Sequence, residues 1–228
     1  MADILAKLVE AVRPGISTND LEDLASNLVE QNGAKPSFFG YNNHPAVLCT
    51  SVNDEIVHGI PSDRELKNGD VLKIDIGILH KGFHTDTATT VIVGDVEGAP
   101  PHVTKLLNVT KEALRIGISK AVAGNTTGDV GFAIQKYVEA SGFNIVRELV
   151  GHGIGRKLHE KPEVPNYGEL GGGVELKPGM TIAIEPMVVT GNWKTKEKNS
   201  VFLTADGGLA AHFEHTIATT DKEPIILT

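Results

Sequence analysis

The chain has 228 residues, with 29 Asp and Glu against 21 Lys and Arg and a net charge of −8 at pH 7. This balance excludes a protein that binds nucleic acid through a broad basic surface, because phosphate contacts need a surplus of Lys and Arg. One cysteine, Cys49, cannot form an intrachain disulfide, and the sequence has neither a secretory signal nor an apolar run of membrane-spanning length, so we expect a soluble cytoplasmic protein.

Two helices are predicted first. Apolar residues recur at helical spacing over residues 4–12, and Pro14-Gly15 ends this helix. Thr18 is the expected N-cap of the second helix, whose apolar stripe covers residues 21–29 and stops at Gly33.

The second half of the chain repeats the pattern of the first. Gly15, Thr18, Asp20, Val29, Glu30 and Gly33 recur at the same spacing as Gly124, Thr127, Asp129, Val138, Glu139 and Gly142. An internal repeat of this kind indicates a duplicated structural unit.

The repeat continues into predicted strands. Residues 66–75 match residues 176–185, so Asp75 and Glu185 are counterparts. In the same sense His58-Gly59-Ile60 corresponds to His152-Gly153-Ile154, and His84-Thr85-Asp86 corresponds to His212-Phe213-Glu214. Each half is therefore expected to supply helices, a His-Gly turn and a β-hairpin that carries two acids.

These elements predict an α+β fold with pseudo-two-fold symmetry. The hairpins would share one central antiparallel sheet, with the helices packed outside it. We expect one catalytic domain over residues 1–228, built of halves at about 1–110 and 111–228. The alternative is that the matching acids are coincidental strand ends, but four segments that match in the same order favour the repeat.

The repeated acids predict a metal site. Asp75 and Glu185 interrupt apolar strands, and a buried carboxylate must be compensated. Together with Asp86 and Glu214 they would repel one another unless cations were present, and two divalent ions would satisfy all four. His152 is the best candidate for a completing imidazole, because Gly151 and Gly153 on either side would let the backbone approach the metals closely. One imidazole among four carboxylates favours Mn, Fe, Co or Zn and leaves the choice among them open.

Six motifs resemble the type I methionine aminopeptidases, which have the pita-bread fold. The motifs are Val57-His58-Gly59-Ile60-Pro61, Ile74-Asp75-Ile76, Gly151-His152-Gly153-Ile154-Gly155, Leu158-His159-Glu160, Ile184-Glu185-Pro186-Met187 and Phe213-Glu214-His215-Thr216. The resemblance implies that five residues ligate two metal ions, namely Asp75, Asp86, His152, Glu185 and Glu214. It also implies that His58 and His159 are catalytic without being ligands, and that Tyr41 and Cys49 form walls of the substrate pocket, near Phe39 in sequence.

The implied function is removal of the initiator methionine from nascent proteins, with a small second residue preferred. A water held by the ions would attack, Glu185 would transfer its proton, His159 would stabilise the carbonyl oxygen, and His58 would hold the amide nitrogen. The expected partners are nascent peptides that begin with Met, without direct DNA or membrane binding, and the protein is expected to be a monomer. Lys194, Lys196 and Lys198 could touch ribosomal RNA, although a solvated loop is the simpler interpretation.

The other six histidines are expected on the surface, in loops or beside ligands. They are His44, His80, His84, His102, His212 and His215.

Two departures from the family stand out. The chain lacks part of the N-terminal helical segment of similar enzymes, and its only tryptophan, Trp193, lies upstream of the family's usual position. The sequence therefore does not assign the residues that form the floor of the substrate pocket.

Three rival classes share the fold. An Xaa-Pro dipeptidase or aminopeptidase P usually has a large N-terminal domain, for which the 74 residues before Asp75 leave no room. A type II methionine aminopeptidase carries a helical insert in its second half, for which this chain has no space. An inactive binding module usually loses ligands, whereas this chain keeps all five.

Overall fold

The computed structural model describes all 228 residues of the protein. Its four α-helices are α1 (Ala2–Ala11), α2 (Thr18–Gln31), α3 (Pro101–Lys120) and α4 (Thr127–Ala140), and a short 3-10 helix covers Tyr41–Asn43. None of these helices combines the length and the apolar character needed to cross a lipid bilayer.

Fifteen strands accompany the helices. They are β1 (Lys35–Pro36), β2 (Leu48–Val52), β3 (Glu55–Val57), β4 (Val71–His80), β5 (Phe83–Ile92), β6 (Asn144–Ile145), β7 (Gly151–Gly153), β8 (Glu160–Val164), β9 (Thr181–Ile184), β10 (Met187–Val189), β11 (Thr195–Lys198), β12 (Val201–Thr204), β13 (Ala210–His212), β14 (Glu214–Ala218) and β15 (Ile225–Ile226).

The N-cap of α2 is Ser17, so the expectation for Thr18 was wrong by one residue. The Ser17 hydroxyl accepts a hydrogen bond from the Asp20 N–H at 3.1 Å, and the Asp20 carboxylate accepts one from the Ser17 N–H at 2.8 Å. This reciprocal capping box satisfies two donors at the start of the helix. The Thr18 hydroxyl instead bonds the backbone of Ser62, to whose carbonyl it donates at 3.0 Å.

The second half repeats this local structure, as the sequence repeat predicts. Thr126 caps α4 through the same box with Asp129. Each cap also forms an isolated antiparallel bridge, Ser17 to Glu65 in the first half and Thr126 to Glu175 in the second. The duplicated sequence therefore folds into duplicated contacts.

One antiparallel sheet of nine strands runs through both halves of the chain. Its order is β1-β4-β5-β14-β9-β7-β8, with β2 paired to β4 and β15 paired to β14. The halves meet where β5 pairs with β14, with Ala88 opposite Glu214. Apolar faces of α1 and α2 pack against β2 and β4, whereas α3 and α4 share a second core with β9. The predicted α+β fold with a central antiparallel sheet is confirmed.

The second half departs from the expected hairpin. Strands β9 and β14 do pair, with Ile184 opposite His215, but four strands intervene between them in the chain. Pro186 follows Glu185 and has no N–H to offer the sheet, so β9 stops there. The chain then forms β10 to β13, which complete two small sheets with earlier strands, β13-β10-β6 and β11-β12-β3, before it returns to the central sheet as β14.

The expected boundary between the halves, at about residue 110, falls inside a helix. Helix α3 is continuous from Pro101 to Lys120 and precedes α4 as α1 precedes α2. A division before α3 would leave this helix whole, and the boundary itself stays a prediction. That residues 1–228 form one catalytic domain stays a prediction, which a sheet shared by both halves favours.

Candidate metal centre and substrate cavity

All the residues predicted for the site except Phe39 line one cavity of about 340 Å³. All five proposed metal ligands and both proposed catalytic histidines contribute to its wall, namely Asp75, Asp86, His152, Glu185, Glu214, His58 and His159. These residues come from both halves of the chain, so folding brings together what the sequence separates.

Strand register explains how three of the acids meet. Asp75 on β4 lies opposite Ala88 on β5, and Ala88 lies opposite Glu214 on β14. Directly opposed residues point to the same face of a sheet, and so does Asp86, two residues before Ala88 on β5. The small side chain of Ala88 leaves the space between the strands to the carboxylates.

The tightest group is formed by Asp86, His152 and Glu214, whose possible ligand atoms all lie within 4.8 Å of one another. His152 donates its Nδ1 hydrogen to the Gly153 carbonyl at 2.9 Å, because a carbonyl can only accept. The lone pair on Nε2 is therefore free for a metal ion. This Nε2 lies 3.6 Å from Glu185 Oε1.

The acids are held at an electrostatic cost. Burial raises the pKa of Asp75, Glu185 and Glu214 well above the usual range, with the neighbouring Asp86 carboxylate as a further cause. Burial also raises the pKa of Asp86 to about 7. Buried oxygens of two of these carboxyls, Asp75 Oδ1 and Glu214 Oε1, have no hydrogen-bond partner. Oxygen donors without partners beside a free imidazole nitrogen fit a divalent transition-metal ion.

No basic side chain neutralises this cluster. Lys73 lies on β4 two residues before Asp75 and is almost fully buried, at 1% exposure. Its ammonium donates to the carbonyls of Asn53 at 2.9 Å and Val71 at 3.3 Å. Neither lysine nor arginine forms an ion pair with any of the four acids.

The glycines beside His152 act differently from what the sequence suggested. A Cβ on Gly151 would lie 2.3 Å from the Ala183 carbonyl oxygen, and one on Gly153 would lie 2.3 Å from that of Lys161. The glycines therefore allow the backbone to approach neighbouring segments of chain rather than the metal. They still place His152, because that approach fixes β7 in the sheet.

The two proposed catalytic histidines are neutral. Burial lowers the pKa of His58 to about 4, and burial also lowers the pKa of His159. His58 adopts a positive φ of 63° immediately after β3, and its ring meets Phe202 edge to face at 5.6 Å. The His159 ring lies 4.2 Å from that of His152, and its Nδ1 is 2.7 Å from the Tyr41 hydroxyl.

Tyr41 and Cys49 line the cavity as expected, whereas Phe39 does not. Phe39 is 64% exposed, and the neighbouring Phe38 lines the cavity in its place. Position beside a motif did not reveal which of two adjacent aromatic side chains turns inward. Burial raises the pKa of the Cys49 thiol, so Cys49 presents a neutral, small wall.

Two of the six histidines that we expected on the surface, in loops or beside ligands lie at the site. His44 lines the cavity, and its Nε2 is 3.6 Å from the Cys49 sulfur. His212 is buried, with Nε2 at 3.6 Å from Glu185 Oε2. Its place opposite Met187 in the β10–β13 pair brings it there, and its counterpart His84 was the available signal.

The only tryptophan does not reach the cavity. Trp193 stacks against the Arg147 guanidinium, 5.1 Å from the ring centre. Other residues complete the wall, several of them without a sequence signal: Asn42, Asn43, Pro45, Ile60, Leu158 and Ser200.

This fold and this acid-lined cavity define a metallopeptidase. The model of metallopeptidase family M24 matches residues 1–221, and the chain belongs to this family.

The chain is similar in sequence and structure to proteins named methionine aminopeptidase. The chain is 46% identical to the methionine aminopeptidase of Clostridium perfringens, over 100% of this chain and 91% of that protein. The crystal structure of the methionine aminopeptidase of Thermotoga maritima superposes with a TM-score of 0.96 and 41% identity, covering 100% and 91% of the two chains. The prolidase of Pyrococcus furiosus shares the fold, at 22% identity and a TM-score of 0.78 over 99% of this chain and 59% of that one. The predicted resemblance to methionine aminopeptidases is confirmed.

Proposed function

We propose that the protein is a methionyl aminopeptidase that hydrolyses the first peptide bond of nascent proteins and releases the initiator methionine. The observation that carries this proposal is the set of buried acids with unpartnered oxygens, which lines the same cavity as two neutral histidines. The family and the named relatives favour it independently.

The residues that would hold metal are Asp75, Asp86, His152, Glu185 and Glu214, and we propose two ions per chain. Bound divalent ions lower the pKa of water toward about 7 and polarise a carbonyl, which makes hydrolysis feasible at neutral pH. Mn, Fe, Co and Zn all suit this donor set. Metal analysis of protein purified without chelators tests both number and identity, and one ion per chain would refute the dinuclear part.

The side chains around the centre suit proton transfer and charge stabilisation. Glu185 lines the same cavity as the other proposed ligands, and its carboxylate would take a proton from the attacking water and return it to the departing amine. Neutral His159 would donate a hydrogen bond to the oxyanion of the scissile carbonyl, and His58 would hold the amide nitrogen.

The cavity size and lining suit a methionine side chain. Phe38, Tyr41 and Cys49 supply apolar and polarisable surface, and the volume of about 340 Å³ lies within the range of small-ligand sites. A small second residue of the substrate would be preferred at the point where the peptide leaves the cavity. Discrimination by one methylene is only about 1–3 kcal/mol, so the preference should be graded rather than absolute.

We also propose a compartment, an oligomeric state and a partner for the protein. The substrate is made in the cytoplasm, where an unpaired Cys49 is stable, and we propose a monomer there. Lys194, Lys196 and Lys198 lie on or beside the exposed β11 and could contact ribosomal RNA. Replacing all three with alanine and measuring ribosome co-sedimentation tests this contact. Unchanged sedimentation would favour a solvated hairpin.

One experiment separates the proposed function from its rivals. Purified protein is stripped of metal and then assayed on Met-Ala-Ser and Ala-Pro peptides, with and without added Mn or Co. We expect metal-dependent release of methionine from Met-Ala-Ser alone. Cleavage of Ala-Pro would indicate a proline-directed peptidase, and no cleavage of either peptide would indicate a binding module.

The role of His159 has its own test. His159→Ala should lower kcat by roughly 10²–10³, the usual effect of losing an oxyanion donor, without changing the metal content. Turnover at the wild-type level would remove His159 from the mechanism, and lost metal would make it a support of the ligands instead.

A further inference from the structure

A hydrogen bond at the rim of the cavity joins Tyr41 to His159. The Tyr41 hydroxyl lies 2.7 Å from His159 Nδ1, and this is its only hydrogen bond. The two rings are 5.0 Å apart and tilted by 48°, while the other side of His159 meets His152 at 4.2 Å. His159 is therefore held between a metal-site imidazole and a phenol.

The segment that carries Tyr41 is built for a fixed position. The His44 N–H donates to the Tyr41 carbonyl at 2.9 Å, and the Gly40 N–H donates to the His44 carbonyl at 2.8 Å. Asn42 and Asn43 have φ values of 47° and 63°, in the left-handed region that asparagine tolerates better than most residues. A closed turn of this kind aims the phenol without needing help from substrate.

The chemistry of the pair sets the direction of the hydrogen bond. A neutral imidazole has one nitrogen that donates and one that accepts, and either could face the phenol. A phenol O–H is a much stronger acid than an imidazole N–H, and an imidazole nitrogen is a much stronger base than a phenol oxygen. The favoured arrangement thus has the Tyr41 O–H donating to His159 Nδ1.

We propose that Tyr41 is a positioning residue that holds His159 in the tautomer with its hydrogen on Nε2, so that this nitrogen can donate to the substrate carbonyl. The inference rests on the proposed function for its consequence, although the tautomer itself exists without substrate. It gives Tyr41 a role beyond that of a pocket wall.

The tautomer can be measured directly. Two-dimensional 1H–15N spectra of protein with 15N-labelled histidine distinguish protonated from unprotonated ring nitrogens, and His159→Ala assigns the signals. In metal-free and in zinc-loaded protein we expect His159 to carry its hydrogen on Nε2, and Tyr41→Phe to give a mixture of tautomers. A wild-type His159 protonated on Nδ1 would overturn the proposal whether or not the protein cleaves peptides.

Kinetics test the consequence. Tyr41→Phe keeps the ring as a pocket wall and removes one oxygen, so kcat should fall roughly 3- to 10-fold, as expected for one lost hydrogen bond, while KM for a Met peptide stays within about twofold. Tyr137→Phe is the matched control, because Tyr137 lies on α4 away from the cavity and its hydroxyl makes no hydrogen bond. An unchanged kcat in Tyr41→Phe would refute the positioning role.

A double-mutant cycle shows whether Tyr41 acts through His159. In a His159→Ala background, Tyr41→Phe should have no further effect on the residual rate, since the group that it positions is gone. An equal loss in both backgrounds would mean that Tyr41 acts on substrate directly. If wild-type protein cleaves no Met peptide, the proposed function fails while the spectra still decide the tautomer.

Discussion

At the scale of single residues, we expect the proposed metal ligands to lower the folding stability of the metal-free protein. The carboxyls of Asp75, Asp86 and Glu214 are buried at one place beside the partly buried Glu185, and two of these oxygens have no hydrogen-bond partner. Such groups disfavour the folded state when they are charged and unpaired. A ligand acid in this cluster should therefore be replaceable with a gain in metal-free stability and a loss of metal binding.

Asp86→Asn is the substitution that we expect to separate these effects. Its folded pKa of about 7 lies above the ordinary 3.8, so the wild-type carboxyl binds a proton more tightly in the folded state. The associated stability is complete below about pH 4 and is lost as the pH rises to about 7. Removing the charge should therefore stabilise metal-free protein at pH 8, by up to about 4 kcal/mol for three pKa units, and have little effect near pH 4. Urea unfolding in EDTA at several pH values measures this.

The amide preserves the rest of the local structure, since its oxygen can still accept the Thr87 N–H. Asp206→Asn provides a control of opposite sign, because hydrogen bonds from the Asn192 and Gly208 N–H groups lower the pKa of Asp206. Its replacement should destabilise the protein at pH 8. Equal pH dependence in wild type and Asp86→Asn would contradict the idea that burial of the charged Asp86 carboxylate destabilises the metal-free protein.

Residue-level prediction from sequence is most specific where chemistry restricts the choice. A carboxylate inside an apolar strand has few explanations, so Asp75 and Glu185 could be proposed as ligands before it was known that both line the cavity. Aromatic and imidazole side chains are tolerated in many settings, which is why Phe38 and His44 were not assigned to the cavity. Their roles follow from direction and contact, which sequence spacing does not encode.

At the scale of elements, close backbone packing of strand β7 positions His152, a proposed ligand. Gly153→Ala would place a methyl 2.3 Å from the Lys161 carbonyl, so β7 and the facing chain must move apart. We expect a loss of roughly 1–3 kcal/mol in unfolding free energy and weaker metal binding, because His152 moves with its strand. Denaturation and competitive metal titration give the two quantities.

Gly155→Ala is the matched control, since its added methyl would contact only the Glu160 side chain, at 3.4 Å or more. It should keep near wild-type stability and metal affinity. If Gly153→Ala also bound metal as tightly as wild type, close packing would not be what places His152.

Element prediction succeeded for the repeated parts and failed for the inserted ones. The helices and the β4–β5 hairpin follow from patterns that occur in sequence order. The β9–β14 pair does not, because its two strands are separated by four others and no local pattern reports which distant strands will meet. The sequence contains the proline that ends β9, but it does not indicate which sheets the strands after Pro186 join.

At the scale of the whole molecule, the repeat determines where the site lies. Two halves that each offer acids at equivalent positions can share one sheet only if those acids converge at the junction of β5 and β14. The sequence repeat therefore predicts both the symmetry and the shared centre. It does not predict the pocket, because the pocket is lined by segments without a counterpart, such as Tyr41–Asn43 and Ser200.

Metal binding should stabilise both halves together. The proposed ligands come from β4 and β5 on one side and from β7, β14 and the end of β9 on the other, so an ion links the halves and binds only folded protein. At a free metal concentration of about 100 times Kd, the linkage is worth about 2.7 kcal/mol per site, which corresponds to a rise of roughly 5–10 °C in Tm for a chain of this length. Calorimetry with and without Mn should show one transition that moves upward as a whole and returns on addition of EDTA. Asp86→Asn should show little shift, and an unmoved transition, or two transitions of which only one responds, would mean that the ions do not join the halves.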